Sequence, residues 1–378
     1  MMIAIDGYEA NVPERVGIGR YAYEILRYLY LLHDTHHTYR IYLPNSPLSD
    51  MPPETPWWQY RILQPKKLWT LFRLPFALAS DRPKADVIFS PTHYIPRFTR
   101  LRRVMSIMDV SYLHYPELFK PDDLYQLTHW TAYSAAHAAR IFTISEFSKG
   151  AIIKAYGVPS EKVVVTYPGL TNHKSKITMI KQDIARKYNL SDHYILSVGT
   201  LQPRKNFVRL TEAFSLFLRE NKQKSVDMDL VIVGKKGWLY EEILAAPARF
   251  GVADRVKFLD YVPDEDLSVL YKEALCLALP SLYEGFGLPV LESMAMGCPV
   301  VVSQVSSLPE IAGEAGIYVD PKSTQSIANG LLVAVRERDL RQGKDRIARG
   351  LAQAKKFTWE RAAKETLNIL LNVGRANA

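Results

Sequence analysis

Pro280-Ser281-Leu282-Tyr283-Glu284-Gly285-Phe286-Gly287-Leu288-Pro289-Val290-Leu291-Glu292 directly follows the apolar run Cys276–Leu279. A run that short and apolar throughout reads as a strand buried on both faces. Gly285 and Gly287 let backbone amides approach a ligand closely, and Pro289 suits the first turn of a helix. The N-terminus of such a helix favours anionic or oxygen-rich groups. Glu284 falls in the loop and Glu292 lies eight residues on, inside the helix, so two carboxylates can reach one ligand from different heights. Taken alone, the stretch is equally a tight strand–helix turn with two solvated glutamates.

The same order recurs elsewhere. Ser197-Val198-Gly199-Thr200-Leu201-Gln202-Pro203-Arg204-Lys205-Asn206 ends a strand, passes a glycine and adjacent cations, and enters a helix at Phe207. Arg204 and Lys205 are suited to neutralising a diphosphate, and Asn206 is suited to capping the helix. Gly17-Ile18-Gly19-Arg20-Tyr21 precedes another helix and can admit a phosphate or an acceptor. Strands are expected at Ile3–Asp6, Ile41–Leu43, Val87–Phe89, Val104–Met108, Ile141–Ile144 and Val163–Val165. After a break they resume at Tyr194–Val198, Leu230–Val233, Val256–Leu259, Cys276–Leu279, Val300–Val302 and Ile317–Val319. Helical patterns lie between, among them Arg20–Leu32, Asp122–Ala139, Glu146–Tyr156, Phe207–Arg219 and Asp264–Glu273. The alternation predicts an α/β chain with parallel sheets. It lapses between Tyr167 and Asn189, which places a linker near Gly169–Lys181. The expected domains are therefore 1–170, 171–356 and a terminal helix in 357–378 that can pack back on the first domain.

Length and composition agree. The chain has 378 residues, 48% hydrophobic and 23% charged, which excludes disordered and fibrous classes. Two cysteines, Cys276 and Cys298, make neither a disulfide framework nor a zinc site and read as buried thiols in a reducing cytosol. With no apolar stretch of membrane-spanning length and no basic leader, a cytoplasmic protein is expected. The net charge of +9 is concentrated: Tyr60–Val104 carries ten bases against Asp81 and Asp86, a local excess of eight. Within it, Trp69, Phe72 and Phe76 recur at helical spacing beside Lys66, Lys67 and Arg73. Two readings fit, a core-facing helix with a solvated basic face and a basic amphipathic helix on an anionic membrane. No nucleic-acid-binding signature accompanies the charge.

At this point the chain resembles glycosyltransferase family 4, the retaining group 1 enzymes. Glu284–Glu292 matches the family's E-x7-E pattern. The segments Gly17–Tyr21, Thr143-Ile144-Ser145-Glu146-Phe147-Ser148, Val198–Asn206 and Ser306-Ser307-Leu308-Pro309-Glu310 match as well. The resemblance implies a GT-B fold, two Rossmann-like doubly wound domains facing across a cleft. It implies a nucleotide-diphosphate sugar as donor, a glycan or lipid-linked saccharide as acceptor, and no metal or other cofactor. Arg204 and Lys205 resemble the pair that binds the pyrophosphate and stabilises the leaving group. Glu292 resembles the residue on the ribose hydroxyls; Glu284, Gly285, Phe286 and Gly287 resemble the donor-sugar cradle. Tyr261 and Val262 match the segment reading the base, and Gly17 and Gly19 the loop near the phosphates. Acceptor-side contacts fall to Asp109 and His93.

One departure stands out. Where the family commonly has His-Asp, this chain has Met108-Asp109, and a thioether accepts no proton. His114, six residues past Met108, is a candidate substitute, but a structural or surface histidine is the stronger reading. Asp227-Met228-Asp229 mimics the manganese motif of another transferase fold but precedes a strand, so surface aspartates are expected there. Gly17-x-Gly19-x-x-Ala22 mimics a dinucleotide fingerprint but stands too far from its strand. The expected activity is hexosyl transfer in cell-surface polysaccharide synthesis. The donor leans toward a UDP-hexose, UDP-glucose or UDP-glucuronic acid, with GDP-mannose next. A nucleotide-sugar epimerase or phosphorylase on the same fold, and an inactive carbohydrate- or membrane-binding scaffold, are the alternatives.

Overall fold

A computed structural model describes residues 1–15, 17–33, 36–170, 181–221 and 227–375. The chain divides into two compact units, Met1–Gly169 with the stretch from Thr358 onward, and Leu170–Phe357. The linker expected near Gly169–Lys181 lies for the most part outside the described residues.

In the first unit the described strands are β1 (Met2–Asp6), β2 (Thr38–Leu43), β3 (Trp58–Ile62), β4 (Val87–Ser90), β5 (Arg102–Ser106), β6 (Arg140–Thr143) and β7 (Val163–Val165). They form one parallel sheet in the order β3-β2-β1-β4-β5-β6-β7. The second unit holds β8 (His193–Val198), β9 (Met228–Val233), β10 (Val256–Leu259), β11 (Cys276–Leu279), β12 (Val300–Ser303) and β13 (Gly316–Val319). Their order is β10-β9-β8-β11-β12-β13, again parallel throughout. Both sheets are doubly wound: strand order reverses between β1 and β4 in one, and between β8 and β11 in the other. Loops leaving the carboxyl ends of such a strand pair diverge and open a crevice for a ligand.

Sequence explains most of these elements directly. β9, β11 and β12 are buried at every position, hence the apolar runs Leu230–Val233, Cys276–Leu279 and Val300–Val302 within them. Helix Phe207–Glu220 buries Phe207, Leu210, Phe214 and Phe217, one stripe at helical spacing. Helix Glu146–Tyr156 starts where the Ser145 side chain accepts from the Ser148 amide and stops at Gly157, whose φ of 61° needs no Cβ.

Four expectations need correction. The edge strand β3 was not anticipated; only Trp58 of its five residues is buried, so its pattern is too polar to read. β5 ends at Ser106, leaving Met108 and Asp109 in the following loop. The helix expected over Asp122–Ala139 consists of Pro121–Tyr125, a wide π-type turn Gln126–Trp130, and Thr131–His137. The amphipathic helix expected over Lys66–Phe76 begins only at Trp69, with a π-type turn Trp69–Arg73 leading into helix Leu74–Ser80. Its aromatics do not share a side. Trp69 is buried with Leu74, Ala77 and Leu78, whereas Phe72 and Phe76 are exposed.

The last helix, Trp359–Arg375, belongs to the first unit and packs on helix Ile18–Leu31. Trp359, Ala362, Ala363, Leu370 and Val373 are buried, and the Trp359 ring lies 5.9 Å from that of Tyr21. A Cβ on Gly169 would stand 2.0 Å from the Trp359 amide nitrogen, so only glycine permits this backbone approach. Replacing Trp359 with alanine therefore removes a large buried side chain and is expected to cost about 3–5 kcal/mol. Urea unfolding followed by circular dichroism should show the first-unit transition moving to lower denaturant.

Candidate functional site

The second unit's reversal point is built around one buried carboxylate. Lys205 and Glu284 leave the ends of the adjacent strands β8 and β11, and the Lys205 ammonium donates to Glu284 Oε1 at 2.6 Å. Arg204 donates to Glu284 Oε2 at 3.2 Å and to the Tyr283 carbonyl, and Ser281 donates to Oε1 at 2.7 Å. Lys205 and Glu284 are both buried. Burial pushes the Glu284 carboxyl up, but Lys205, Arg204 and the hydrogen bonds outweigh it and bring the pKa down to about 2.

Backbone contacts lock the same two loops together. Leu282 N–H donates to the Arg204 carbonyl at 2.9 Å. Asn206 does not cap its helix through the side chain, as the sequence suggested. Its own φ is 64°, and its amide donates to the carbonyls of Pro280 at 2.8 Å and Pro321 at 2.7 Å. Ser307 Oγ donates to the carbonyls of Glu284 and Phe286, both at 2.9 Å, and Glu284 N–H donates to Ser306 Oγ at 3.1 Å. The glycine loop is thus held from β12 as well. Gly287 opens helix Leu288–Ala295 at φ 106°, and a Cβ there would meet Leu308 at 2.7 Å. Lys205 lies along Gly199, whose missing side chain leaves room for its methylenes.

Glu292 sits in that helix, half-buried, and accepts from Tyr271 Oη at 2.9 Å. Tyr261 follows β10 and is exposed, with the Lys235 ammonium 5.4 Å from its ring centre; Val262 beside it is buried. Arg204, Lys205, Glu284, Gly285, Phe286, Gly287, Glu292, Tyr261 and Val262 therefore all lie on the carboxyl edge of one parallel sheet. Ser281, Tyr271, Ser306 and Ser307 were not singled out for these contacts. The two serines sit in the quoted Ser306–Glu310 segment, but nothing in that segment marks hydroxyls that would grip a loop 22 residues away.

In the first unit, Gly17, Gly19, His93 and Asp109 follow β1, β4 and β5 on the corresponding edge. Gly17 carries φ 49° at the start of helix Ile18–Leu31. His93 Nε2 accepts from the Met108 amide at 3.4 Å. Burial holds the His93 imidazole well below its ordinary value, with the nearby Asp109 carboxylate opposing, so the ring is neutral at pH 7. Asp109 accepts from Ser111 N–H at 2.8 Å. His114 is exposed. Asp6, which the sequence reading passed over, ends β1 fully buried. Desolvation raises its pKa to about 7, against hydrogen bonds from the Tyr8 amide at 3.1 Å and Trp69 Nε1 at 2.9 Å. An acid closing an apolar strand was the available signal.

The Asp-x-Asp mimic is structural, though not as expected. Asp227 is exposed beside Arg255, but Asp229 is buried and accepts from Ser191 N–H at 2.7 Å. Among the described residues no group of three His, Cys, Asp or Glu is placed to hold a metal ion.

Comparison with known proteins places this architecture. Residues 16–172 match the model of Glycosyltransferase Family 4, and residues 180–349 that of Glycosyl transferases group 1. O-antigen chain mannosyltransferase B of Escherichia coli is 34% identical over 317 residues, 82% of this chain and 78% of that protein. O-antigen chain mannosyltransferase RfbU of Salmonella typhimurium is 28% identical over 62% of this chain and 60% of its own. Sucrose-phosphate synthase from Thermosynechococcus elongatus shares the fold, with a TM-score of 0.76 at 18% identity over 99% of each chain. The chain belongs to glycosyltransferase family 4, a family of retaining hexosyltransferases, and has its GT-B fold.

The depressed Glu284 pKa is a stability statement. Its folded value lies below the ordinary 4.5, so the stabilisation is complete above that pH and is lost as pH falls toward 2. At about 1.4 kcal/mol per factor of ten in proton affinity the effect is ~3 kcal/mol. Glu284→Gln should therefore lower the unfolding free energy by about that much at pH 7. The gap from wild type should narrow as pH falls below 4.5, read from urea titrations at pH 7, 5, 4 and 3.

Proposed function

We propose that this protein transfers mannose from GDP-mannose to a saccharide acceptor in the synthesis of a cell-surface polysaccharide, with retention and without a metal ion. The observation that carries the reading is the Arg204–Lys205 pair, fixed by Glu284 at the reversal point of the second unit. Two cations face one carboxylate, which leaves a net positive charge for a diphosphate. The mannosyltransferases among its relatives support mannose. They move the donor from the UDP-hexose favoured by sequence to GDP-mannose, the next in line.

In this reading Arg204 and Lys205 bind the pyrophosphate and stabilise the charge that grows on the leaving GDP, the work a metal ion would otherwise do. Glu284 holds both cations in place, and the amides of Gly285, Phe286 and Gly287 cradle the sugar. Glu292 accepts from the ribose hydroxyls, and backbone groups at Tyr261 and Val262 meet the base. Gly17 and Gly19 leave room for phosphate and acceptor, with Asp109 and His93 on the acceptor side. The acceptor is a lipid-linked saccharide at the cytoplasmic face of a membrane, which the protein meets through residues 60–104. No described helix is long and apolar enough to cross a membrane.

The donor is tested by thermal shifts against GDP and UDP, followed by transfer from GDP-mannose in excess chelator. Stabilisation by GDP alone and chelator-resistant mannosyl transfer are expected. A UDP-only response would overturn the donor, and loss of activity restored by manganese would overturn the metal-free mechanism. Epimerised nucleotide sugar without released GDP would mark an epimerase. Arg204→Ala and Lys205→Ala should each lower turnover by a factor on the order of 10²–10³. Glu292→Ala should raise the donor KM with less effect on kcat, because its contacts persist from ground state to transition state. Activity within about twofold of wild type in either cation variant would remove the pyrophosphate assignment.

A further inference from the structure

The turn that buries Trp69 also presents an apolar surface on its opposite side. Leu68 is 56% exposed, Phe72 56% and Phe76 72%, and Phe98 is 68% exposed. They form one patch. Leu68 immediately precedes the helical run, its carbonyl accepting from the Phe72 amide at 2.9 Å; Phe72 and Phe76 lie four residues apart along the run, and the Phe98 ring stacks on Phe72 at 6.1 Å. The neighbouring strand of chain is tied down by Arg97 N–H donating to the Thr70 carbonyl at 3.0 Å. Four large apolar side chains gathered on one surface mark an interaction site, where scattered ones would not.

Nothing local lets these rings turn inward. Trp69, Leu74, Ala77 and Leu78 already fill the core side of the same run. Trp69 is fixed further by its bond to Asp6 and by the Tyr8 ring, 5.5 Å away at 60°. The patch is therefore held outward by the burial of its opposite face.

Charge identifies the occupant. Lys66 and Lys67 directly precede Leu68 in the chain, Arg100 follows Phe98 by two residues, and all three are exposed. The two acids of the segment are committed elsewhere: Asp81 to Arg40 and Arg61, and Asp86 to the Met2 amide at 2.7 Å. Exposed aromatics ringed by cations whose acids are spent internally suit an anionic lipid surface, where rings sit among headgroups and cations meet phosphates. We propose that Leu68, Phe72, Phe76 and Phe98 insert into the interfacial zone of an anionic bilayer, with Lys66, Lys67 and Arg100 on its headgroups. This rests on the membrane contact proposed above for residues 60–104 and assigns it to seven residues. Because Trp69 reaches Asp6, the docked surface stands one side chain from the carboxyl end of β1.

Sedimentation with phosphatidylglycerol–phosphatidylcholine vesicles, against phosphatidylcholine alone, tests the assignment. Wild type should bind the anionic vesicles and release as salt is raised. Each cation near such a surface is worth about fivefold in partitioning, so K66A/K67A/R100A should lose on the order of 100-fold. F72S/F76S/F98S should lose at least tenfold while keeping the wild-type circular dichroism and melting temperature, since all three rings are exposed. A second readout does not depend on that triple variant. Cys276 and Cys298 are buried, so a polarity-sensitive dye on Phe72→Cys labels one site and should shift to the blue on anionic vesicles only.

Wild-type binding that F72S/F76S/F98S retains in full, with no dye shift, would overturn the patch and leave membrane contact through 60–104 standing. No binding by wild type would overturn both. Self-association of wild type in sedimentation velocity, abolished in F72S/F76S/F98S, would assign the patch to a second copy of the chain and overturn the proposal.

Discussion

The ion pair between Lys205 and Glu284 is the constraint on which the second unit's working edge depends. Two buried charges are tolerable only when each is met by the other and by further donors. Here the carboxylate receives Lys205, Arg204 and Ser281. The pair spans the loops after β8 and β11, strands that are neighbours in space but separated by more than 70 residues of chain. Asn206 repeats the link through its bond to the Pro280 carbonyl, Leu282 adds a third through the Arg204 carbonyl, and a second Asn206 bond ties in Pro321, after β13. Arg204, Lys205, Ser281 and the glycine loop are then placed relative to one carboxylate. Cations held in this way are already oriented, so meeting an anionic group costs them little reorganisation.

Glycine placement follows from the same constraint. Lys205 reaches Glu284 by running over Gly199, and the loop bearing Glu284 turns into its helix at Gly287, against Leu308. A side chain at Gly287 would combine an unfavourable φ with a collision, moving the loop whose carbonyls Ser307 holds. The glycines that first drew attention as ligand-approach points are also what lets the charge cluster assemble.

What was legible in the sequence, and what was not, divides along physical lines. Strands buried on both faces announce themselves by apolar runs, so β11 was found whole and β12 all but its last residue, whereas the expected Leu230–Val233 left out Met228 and the buried Asp229 at the start of β9. β3 pairs on one edge only and shows water Gln59 and Arg61, so its composition resembles a loop. The chemistry-bearing loops were found because their residue types are unusual together, two adjacent cations or two glycines beside an acid. Their mutual geometry was not, because Ser306 and Ser307 act through hydroxyls whose targets are distant in sequence. Asp229 and Asn206 failed for one reason: each polar side chain satisfies backbone groups from another loop, whereas local rules assign it to solvent or to its own helix. Trp69 shows the limit of periodicity. The spacing correctly gave a helical run, but a π-type turn at its start rotates Trp69 away from Phe72 and Phe76, and spacing alone cannot divide them between core and surface.

The two units share a winding and differ in charge at their reversal points. In the second, β8 and β11 bring together two cations and a carboxylate that stays ionised down to about pH 2. In the first, the end of β1 holds Asp6, whose pKa is raised to about 7, and the loop after β4 holds His93, which burial keeps neutral. Desolvation is the largest influence at all three acids and bases, and what differs is the compensation. Glu284 is given formal positive charges; Asp6 receives only the dipoles of an indole and an amide. One winding, repeated along the chain, thus carries a carboxylate kept ionised by two cations at one reversal point and, at the other, a carboxyl group and an imidazole whose neutral forms burial favours.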